Sequence, residues 1–137
     1  MPGAQAFLYR QFCEGMTMSE SSHVRGALGE VRAEQYLAQK GYAILARNFV
    51  SPGSEIDLIA EDGRVIVFIE VKTRMGKAYT GREAVTPAKQ KRICKGALHY
   101  MMKNGLMNRQ ARFDVIEIQG ECVTHIENAF MYQGPAF

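Results

Sequence analysis

Tryptophan is absent from this chain, and cysteine, histidine and long apolar runs are scarce. Its three cysteines, Cys13, Cys94 and Cys122, are an odd count with no C-x-x-C spacing. That spacing argues against a disulfide framework or a zinc site, and they read as free thiols in a reducing compartment. The three histidines, His23, His99 and His125, form no H-x-x-x-H or H-E-x-x-H pattern. Cys94 and His99 share one predicted helix, but five residues apart they point in different directions, which argues against a Cys–His nucleophile. No stretch of about 18 apolar residues occurs, so no membrane span is expected. The N-terminal MPGAQAFLYRQFCEG lacks the continuous apolar run of a secretory signal. A cytoplasmic protein is the expectation. Internal repeats and low-complexity tracts are absent too.

What is present is a core. With 137 residues, 47% of them hydrophobic, one domain is the default. Residues 1–22 have no clear period and end in MTMSESS, so a poorly ordered tail is expected there, with Met16 or Met18 as alternative starts. Residues 23–137 are expected to form the single domain. Val24, Ala27, Leu28, Val31, Tyr36 and Leu37 recur at helical spacing, and Gly41 is a natural stop. Residues 42–49 (YAILARNF) read as a strand, broken by Ser51-Pro52-Gly53. Two further runs, IDLIA and RVIVFIEVK, flank Asp62-Gly63, the chemistry of a type I′ hairpin. Residues 74–86 read as a loop. Thr86-Pro87 opens a second helix, which runs to about Asn104-Gly105 with Ile93, Ala97, Tyr100 and Met101 as its buried stripe. ARFDVIEI and CVTHIE close the chain as strands around Gln119-Gly120. The order predicts an α/β domain: one mixed sheet with a helix on each face.

The hairpin carries acid where a strand would prefer none. A two-residue turn at Asp62-Gly63 pairs Glu61 with Arg64 and sets Asp57 opposite Phe68 and Glu55 opposite Glu70. Side chains alternate, so Glu55, Asp57, Glu70 and Lys72 share one face. Ile56, Leu58, Val67, Ile69 and Val71 take the other, apolar one. Carboxylates placed opposite each other repel, and a covered site makes this worse. Lys72 could compensate, and so could a divalent cation, because Mg²⁺ is often held by only one or two carboxylates. Asp57 and Glu70 are diagonal neighbours in this register, near enough to share an ion. Lys72 would stand beside them to orient a water or offset phosphate charge. The plainer alternative is a solvated sheet edge with ordinary ion pairs, but a run as apolar as VIVFIEV fits an edge poorly.

Asp57 followed by Glu70-Val71-Lys72 resembles the D…(D/E)-x-K signature of restriction-endonuclease-like nucleases, with Ile56 in place of the usual Pro before the Asp. More closely, the chain resembles the YraN family, an uncharacterised bacterial group with a predicted endonuclease fold similar to archaeal Holliday-junction resolvases. The matching segments are Gly26-Ala-Leu-Gly29-Glu30, Tyr36-Leu37, Gly41-Tyr42, Arg47-Asn48, Glu55-Ile-Asp57-Leu-Ile59, Val67-Phe-Ile-Glu70-Val-Lys72-Thr-Arg74, Lys89, Arg112-Phe-Asp114-Val and Asn128-Ala-Phe130. They span residues 24–130 and imply a restriction-endonuclease-like core. The resemblance implies that Asp57 and Glu70 are metal ligands, that Lys72 is the catalytic lysine, and that Glu30 is the additional acid approaching the metal. Read without the resemblance, Glu30 is either a surface residue of the first helix or a site residue. Gly29 before it and Val31 after it, in the predicted buried stripe, favour the site. Ser54 stands where the family usually has Gly. Glu55 is open between a metal ligand and a partner that holds Lys72 or Arg74.

From Lys72 to Lys95 the chain holds Lys72, Arg74, Lys77, Arg82, Lys89, Lys91, Arg92 and Lys95 against Glu83 alone, a net charge of +7, while the rest carries −4. A solvated helix face is the bland explanation. A cationic surface beginning at a carboxylate cluster is also what a phosphodiester needs. Lys89, four residues before Ile93, should point toward the site, and Lys91 and Lys95 toward solvent, suited to backbone phosphates. Tyr79 reads as a stacking platform or as ordinary packing. No base-reading motif is visible, so recognition of shape is expected. The expectation is therefore a Mg²⁺- or Mn²⁺-dependent deoxyribonuclease acting on DNA, with branched or structured DNA as candidate substrates. Homodimerisation is what the analogy with resolvases implies. The rivals are a non-catalytic nucleic-acid-binding module on the same fold and a protein-interaction domain with a structural polar cluster.

Overall fold

The computed structural model describes residues 22–74, 85–120 and 122–134. Helix α1 spans Ser22–Gln39, and strands β1 (Ala43–Ser51), β2 (Ser54–Asp62) and β3 (Val65–Arg74) follow. Helix α2 spans Pro87–Lys103, and β4 (Ala111–Gln119) and β5 (Cys122–Phe130) end the fold. The expected order is the one found. The expected N-terminal tail, and the loop residues Lys77, Tyr79 and Arg82, lie outside the described residues, except that Ser22 already begins α1.

The five strands form one sheet in the order β1-β2-β3-β4-β5. Strands β3 and β4 pair in parallel and the other neighbours antiparallel. A parallel pair cannot be closed by a tight turn, and α2 supplies the crossover. Each face of the sheet has its own core. On the α2 side Ile59, Ile66, Phe68 and Phe113 meet Ile93, Ala97, Tyr100 and Met101, the stripe expected of that helix. On the α1 side Leu58, Val67, Ile69, Ile116 and Ile118 meet Ala33 and Leu37. The Thr86 hydroxyl caps α2 by accepting from the Lys89 N–H at 3.2 Å, and Pro87 occupies the first turn, where a missing N–H costs nothing.

The inner face of α1 matches the expected stripe at Leu37 and Tyr36 but not in its first turns. Leu28 is 36% and Val31 47% exposed, and Ala27 is exposed as well, while Gly29, Arg32 and Ala33 are buried. The cause is a close approach. A Cβ on Gly29 would lie 2.1 Å from the Thr73 hydroxyl of β3, so the helix packs here on a residue without a side chain, and a larger one would force Thr73 or the helix to shift. Gly29→Ala is expected to destabilise the fold by about 1–3 kcal/mol, because the clash outweighs the helix-propensity gain of about 1 kcal/mol. The loss should shrink in a Thr73→Ala background. Urea unfolding of the two single variants and the double variant checks this, and additive losses would show that the contact does not set the packing.

The hairpin register also differs from expectation. The turn is Gly63-Arg64, with Gly63 at φ 60°, and Asp62 still pairs, with Val65. Glu61 therefore faces Ile66, not Arg64, and Ile59 faces Phe68. The ladder reaches Leu58–Ile69, and Asp57 and Glu70 are the next residues of the two strands beyond it. The loop keeps two residues, so the parity of the strands survives. The alternation itself breaks in both β1 and β2, and β1 has a further register shift between Ile44 and Ala46, which face opposite cores. Phe49 and Ile56 pack in the same α2-side core as Ala46 and Ile59, three residues away along each strand. A strict period of two would put them on opposite faces. Asn48, at φ 48°, lies between Ala46 and Phe49, and Asp57 between Ile56 and Ile59. Both strands turn over at this pair. Ile56 thus joins the α2-side core, contrary to the sequence expectation, and Asp57 stands where the sheet changes face.

Candidate active site

Asp57 and Glu70 meet at the open end of the β2–β3 hairpin, away from its turn. The Val71 N–H donates to Asp57 Oδ2 at 2.8 Å, which fixes the carboxylate against β3. Glu70 is buried, 4% exposed, and its Oε2 takes two ammoniums: Lys72 Nζ at 3.1 Å and Lys89 Nζ at 2.6 Å. Lys72 comes from the same strand two residues on. Lys89 reaches in from the first turn of α2, as its spacing from Ile93 foretold. A groove of about 510 Å³ opens over this point, lined by Ser54, Glu55, Asp57, Glu70, Lys89 and Arg92 among others. A second cavity of about 600 Å³ lies on the α1 side, where Glu30 and Glu55 meet Glu34, Arg47 and Asn48. Arg47 is held there by Glu34 through an ion pair.

The electrostatics follow from crowding. Burial pushes the Asp57 pKa up, the nearby Glu70 charge pushes it further, and the Val71 N–H offsets part of the rise, leaving it at about 7. Glu30 is also raised, by burial first and then by Glu55 and Glu70, which places its carboxyl within reach of the same field. Burial works against the Lys89 ammonium, but the hydrogen bond and charge of Glu70 outweigh it, so its pKa rises. Four acids and two lysines thus share one end of the sheet. Among the described residues, no three His, Cys, Asp or Glu side chains stand ready as a metal-ligand set. Asp57 and Glu70 are the pair that could hold a hard cation, a number sufficient for Mg²⁺ when substrate oxygens and waters complete the shell.

The profile described as Uncharacterised protein family UPF0102 matches residues 29–118, which include all four acids, both lysines and Asp114. The chain belongs to this family. UPF0102 is the group that the sequence resemblance names YraN. A UPF0102 protein of Geobacter sulfurreducens is 42% identical over 124 residues, covering 84% of this chain and 97% of its own length. One from Pelobacter propionicus is 43% identical over 129 residues, covering 88% and 92%. One from Symbiobacterium thermophilum is 48% identical over 95 residues, covering 69% and 80%.

In this UPF0102 chain Asp57, Glu70, Lys72 and Lys89 stand together, and Glu30 on α1 lies within the field of Glu55 and Glu70. Glu55 is exposed and lines both cavities, between the two helices. Lys91, Arg92 and Lys95 are exposed on α2, and Arg74 ends β3 half-buried. Ser54 causes no distortion of the strand entry, because the left-handed residue is Gly53, at φ 75°. None of the helices among the described residues is long and apolar enough to cross a membrane. The sequence assigned no role to Asp114. It is fully buried and held by Arg112, His125 and the Asn128 N–H. An acid inside the apolar run ARFDVIEI was the available signal, the same one that marked Asp57.

Proposed function

We propose that this protein is a divalent-metal-dependent endonuclease that hydrolyses DNA phosphodiester bonds, with branched or structured DNA as its substrate class. The observation that carries the reading is the meeting of Asp57 and Glu70 beneath two lysines, at the mouth of a groove that continues along a basic helix. Ionised, Glu30, Glu55, Asp57 and Glu70 outweigh Lys72 and Lys89 by two charges, the charge of one Mg²⁺ or Mn²⁺ ion. Asp57 and Glu70 would hold that ion, with Glu30 approaching from α1. When bound, such an ion supplies Lewis acidity, lowering the pKa of water and drawing charge from a phosphate oxygen. Lys72, kept in place by Glu70, is set to orient the attacking water and to offset charge on the phosphorane-like oxygens. Arg92 and Lys95 on α2, with Lys91 on its exposed face, offer contacts for flanking phosphates, which position nucleic acid without reading its bases. Among the described residues no helix-turn-helix or other base-reading element is formed, which favours recognition of DNA shape. Dimerisation, known of resolvases and implied by the resemblance, would pair two such sites.

The test is cleavage of labelled four-way junction, flap, single strand and linear duplex with Mg²⁺, Mn²⁺ or EDTA. Metal-dependent cutting, reduced about 100-fold or more by Asp57→Asn and by Lys72→Ala, is expected. Binding without cutting under every condition would replace the nuclease with a nucleic-acid-binding module on the same fold. Cutting that persists in both variants would move the chemistry away from these residues.

A further inference from the structure

Glu70 Oε2 is the most contested atom of the site. Lys72 and Lys89 both bond it, at 3.1 and 2.6 Å, and the carboxylate is 4% exposed. The two ammoniums take up both lone-pair positions of Oε2. An ion that binds Oε2 therefore displaces one of them, and repulsion between the ion and a neighbouring ammonium favours that loss. Lys72 is rooted in β3 beside Glu70 and its side chain is 18% exposed. It is the less exposed of the two lysines. Lys89 stands at the start of α2, with a side chain 35% exposed along the groove wall. Rotation of its flexible stem carries the ammonium into the groove, where Arg92 lies one helical turn on.

We propose that Lys89 is an exchangeable counter-ion built into the site: it holds Glu70 until a divalent cation takes that place, and then contacts, with Arg92, a phosphate of the nucleic acid. The inference rests on the metal-dependent reading above and goes beyond it, because it gives Lys89 opposite effects on the two ligands. Removing the lysine strengthens metal binding and weakens DNA binding. A lysine that only positions phosphates would alter DNA binding alone. A lysine that braces the metal site would weaken both.

The experiment is calorimetric titration of Mn²⁺, without nucleic acid, into wild type, Lys89→Met and Lys91→Met. Lys91→Met removes the same charge from an exposed position of α2 and controls for long-range attraction. Mn²⁺ should bind Lys89→Met about tenfold more tightly than wild type, the scale of one close charge contact near a surface, with less than about a twofold change in Lys91→Met. Junction DNA in Ca²⁺ should bind Lys89→Met more weakly than wild type. Unchanged or weaker Mn²⁺ binding in Lys89→Met, beside normal binding by wild type, overturns the exchange and leaves the metal reading standing. No Mn²⁺ binding by wild type removes the metal reading and this inference with it. A second measurement needs no variant: in the lysine NMR spectrum of the intact protein, adding Mg²⁺ should shift and sharpen the Lys89 Nζ-adjacent signal as it leaves Glu70. A Lys89 signal that stays put at saturating Mg²⁺ overturns the proposal.

Discussion

Asp57→Asn is expected to raise the melting temperature at pH 8 in EDTA while abolishing metal-dependent cleavage. The folded Asp57 carboxyl has its pKa raised to about 7 by burial and by Glu70, against roughly 3.9 in an unfolded chain. Between those values the folded state holds a proton that the unfolded state has released. Stability therefore falls as pH rises from about 4 to about 7, and the loss is complete above it. At about 1.4 kcal/mol for each unit of difference, the ceiling on the cost is about 4 kcal/mol. Asparagine keeps an oxygen for the Val71 N–H, which now meets Asp57 Oδ2 at 2.8 Å, but carries no charge. Wild type in EDTA should thus melt at lower temperature at pH 8 than at pH 5. Asp57→Asn should show a flatter profile and lie roughly 10 °C higher at pH 8. Saturating Mn²⁺ should recover stability in wild type far more than in the variant, because a cation that binds the native state stabilises it by mass action. A wild-type melting temperature equal at pH 5 and pH 8 in EDTA would mean that Asp57 ionises at no cost, and the electrostatic case for a metal at this point would fall.

The same residue shows where sequence was informative. An acid in each strand of an apolar hairpin, thirteen residues apart, was enough to bring Asp57 and Glu70 together, because pairing parity depends only on whether the loop length is even. The exact register needed one more fact, that Gly63 and not Asp62 takes the first turn position. The change of face at Asn48 and Asp57 was invisible to periodicity, which assumes an unbroken pleat; Asn48, a residue type tolerant of left-handed backbone, was its trace. Helix α1 failed for a different reason. Periodicity ranks apolar side chains, so it chose Leu28 and Val31, whereas the packing was decided by the absence of a side chain at Gly29. Lys89 was placed correctly in direction by its spacing from Ile93. Its bond to Glu70 could not be foreseen, since nineteen residues and a crossover separate them.

Asp114→Ala should be the most damaging single substitution at a position outside the candidate site. Asp114 is fully buried in β4, yet four donors converge on it. Arg112 Nε lies 3.0 Å from Oδ1 and Nη2 3.1 Å from Oδ2, the Asn128 N–H 2.9 Å from Oδ1, and His125 Nε2 2.7 Å from Oδ2. Lys40 Nζ stands 3.1 Å from the other ring nitrogen of His125. An ammonium can only donate, so Nδ1 is the acceptor, and the ring proton sits on Nε2, donated to Asp114. Burial pushes the Asp114 pKa up, but the bonds from His125, Arg112 and Asn128 outweigh it and hold it below the ordinary value. Arg112 continues the network to Asp62 at the hairpin turn and to the Tyr42 hydroxyl, and Tyr42 donates to Glu127 of β5. One carboxylate thus ties the end of α1, β1, the hairpin turn and β5 together. Alanine would leave a guanidinium, an imidazole and a backbone N–H without their acceptor in an apolar setting, a loss of about 3–5 kcal/mol, which is a large share of the roughly 5–15 kcal/mol typical of a domain. The urea midpoint should fall accordingly, with cleavage per folded molecule little changed, because the Asp114 side chain bonds partners on the α1 side of the sheet whereas Glu70, one step along the neighbouring strand, faces the α2-side groove. The stability Asp114 confers is present above its unfolded pKa and is lost as pH falls through its lowered folded one, so the gap between wild type and Asp114→Ala should close in acid. An unfolding free energy within about 1 kcal/mol of wild type at pH 7 would show that hydrophobic packing alone joins α1 to β5. A stable Asp114→Ala that no longer cuts would instead make this carboxylate part of the chemistry.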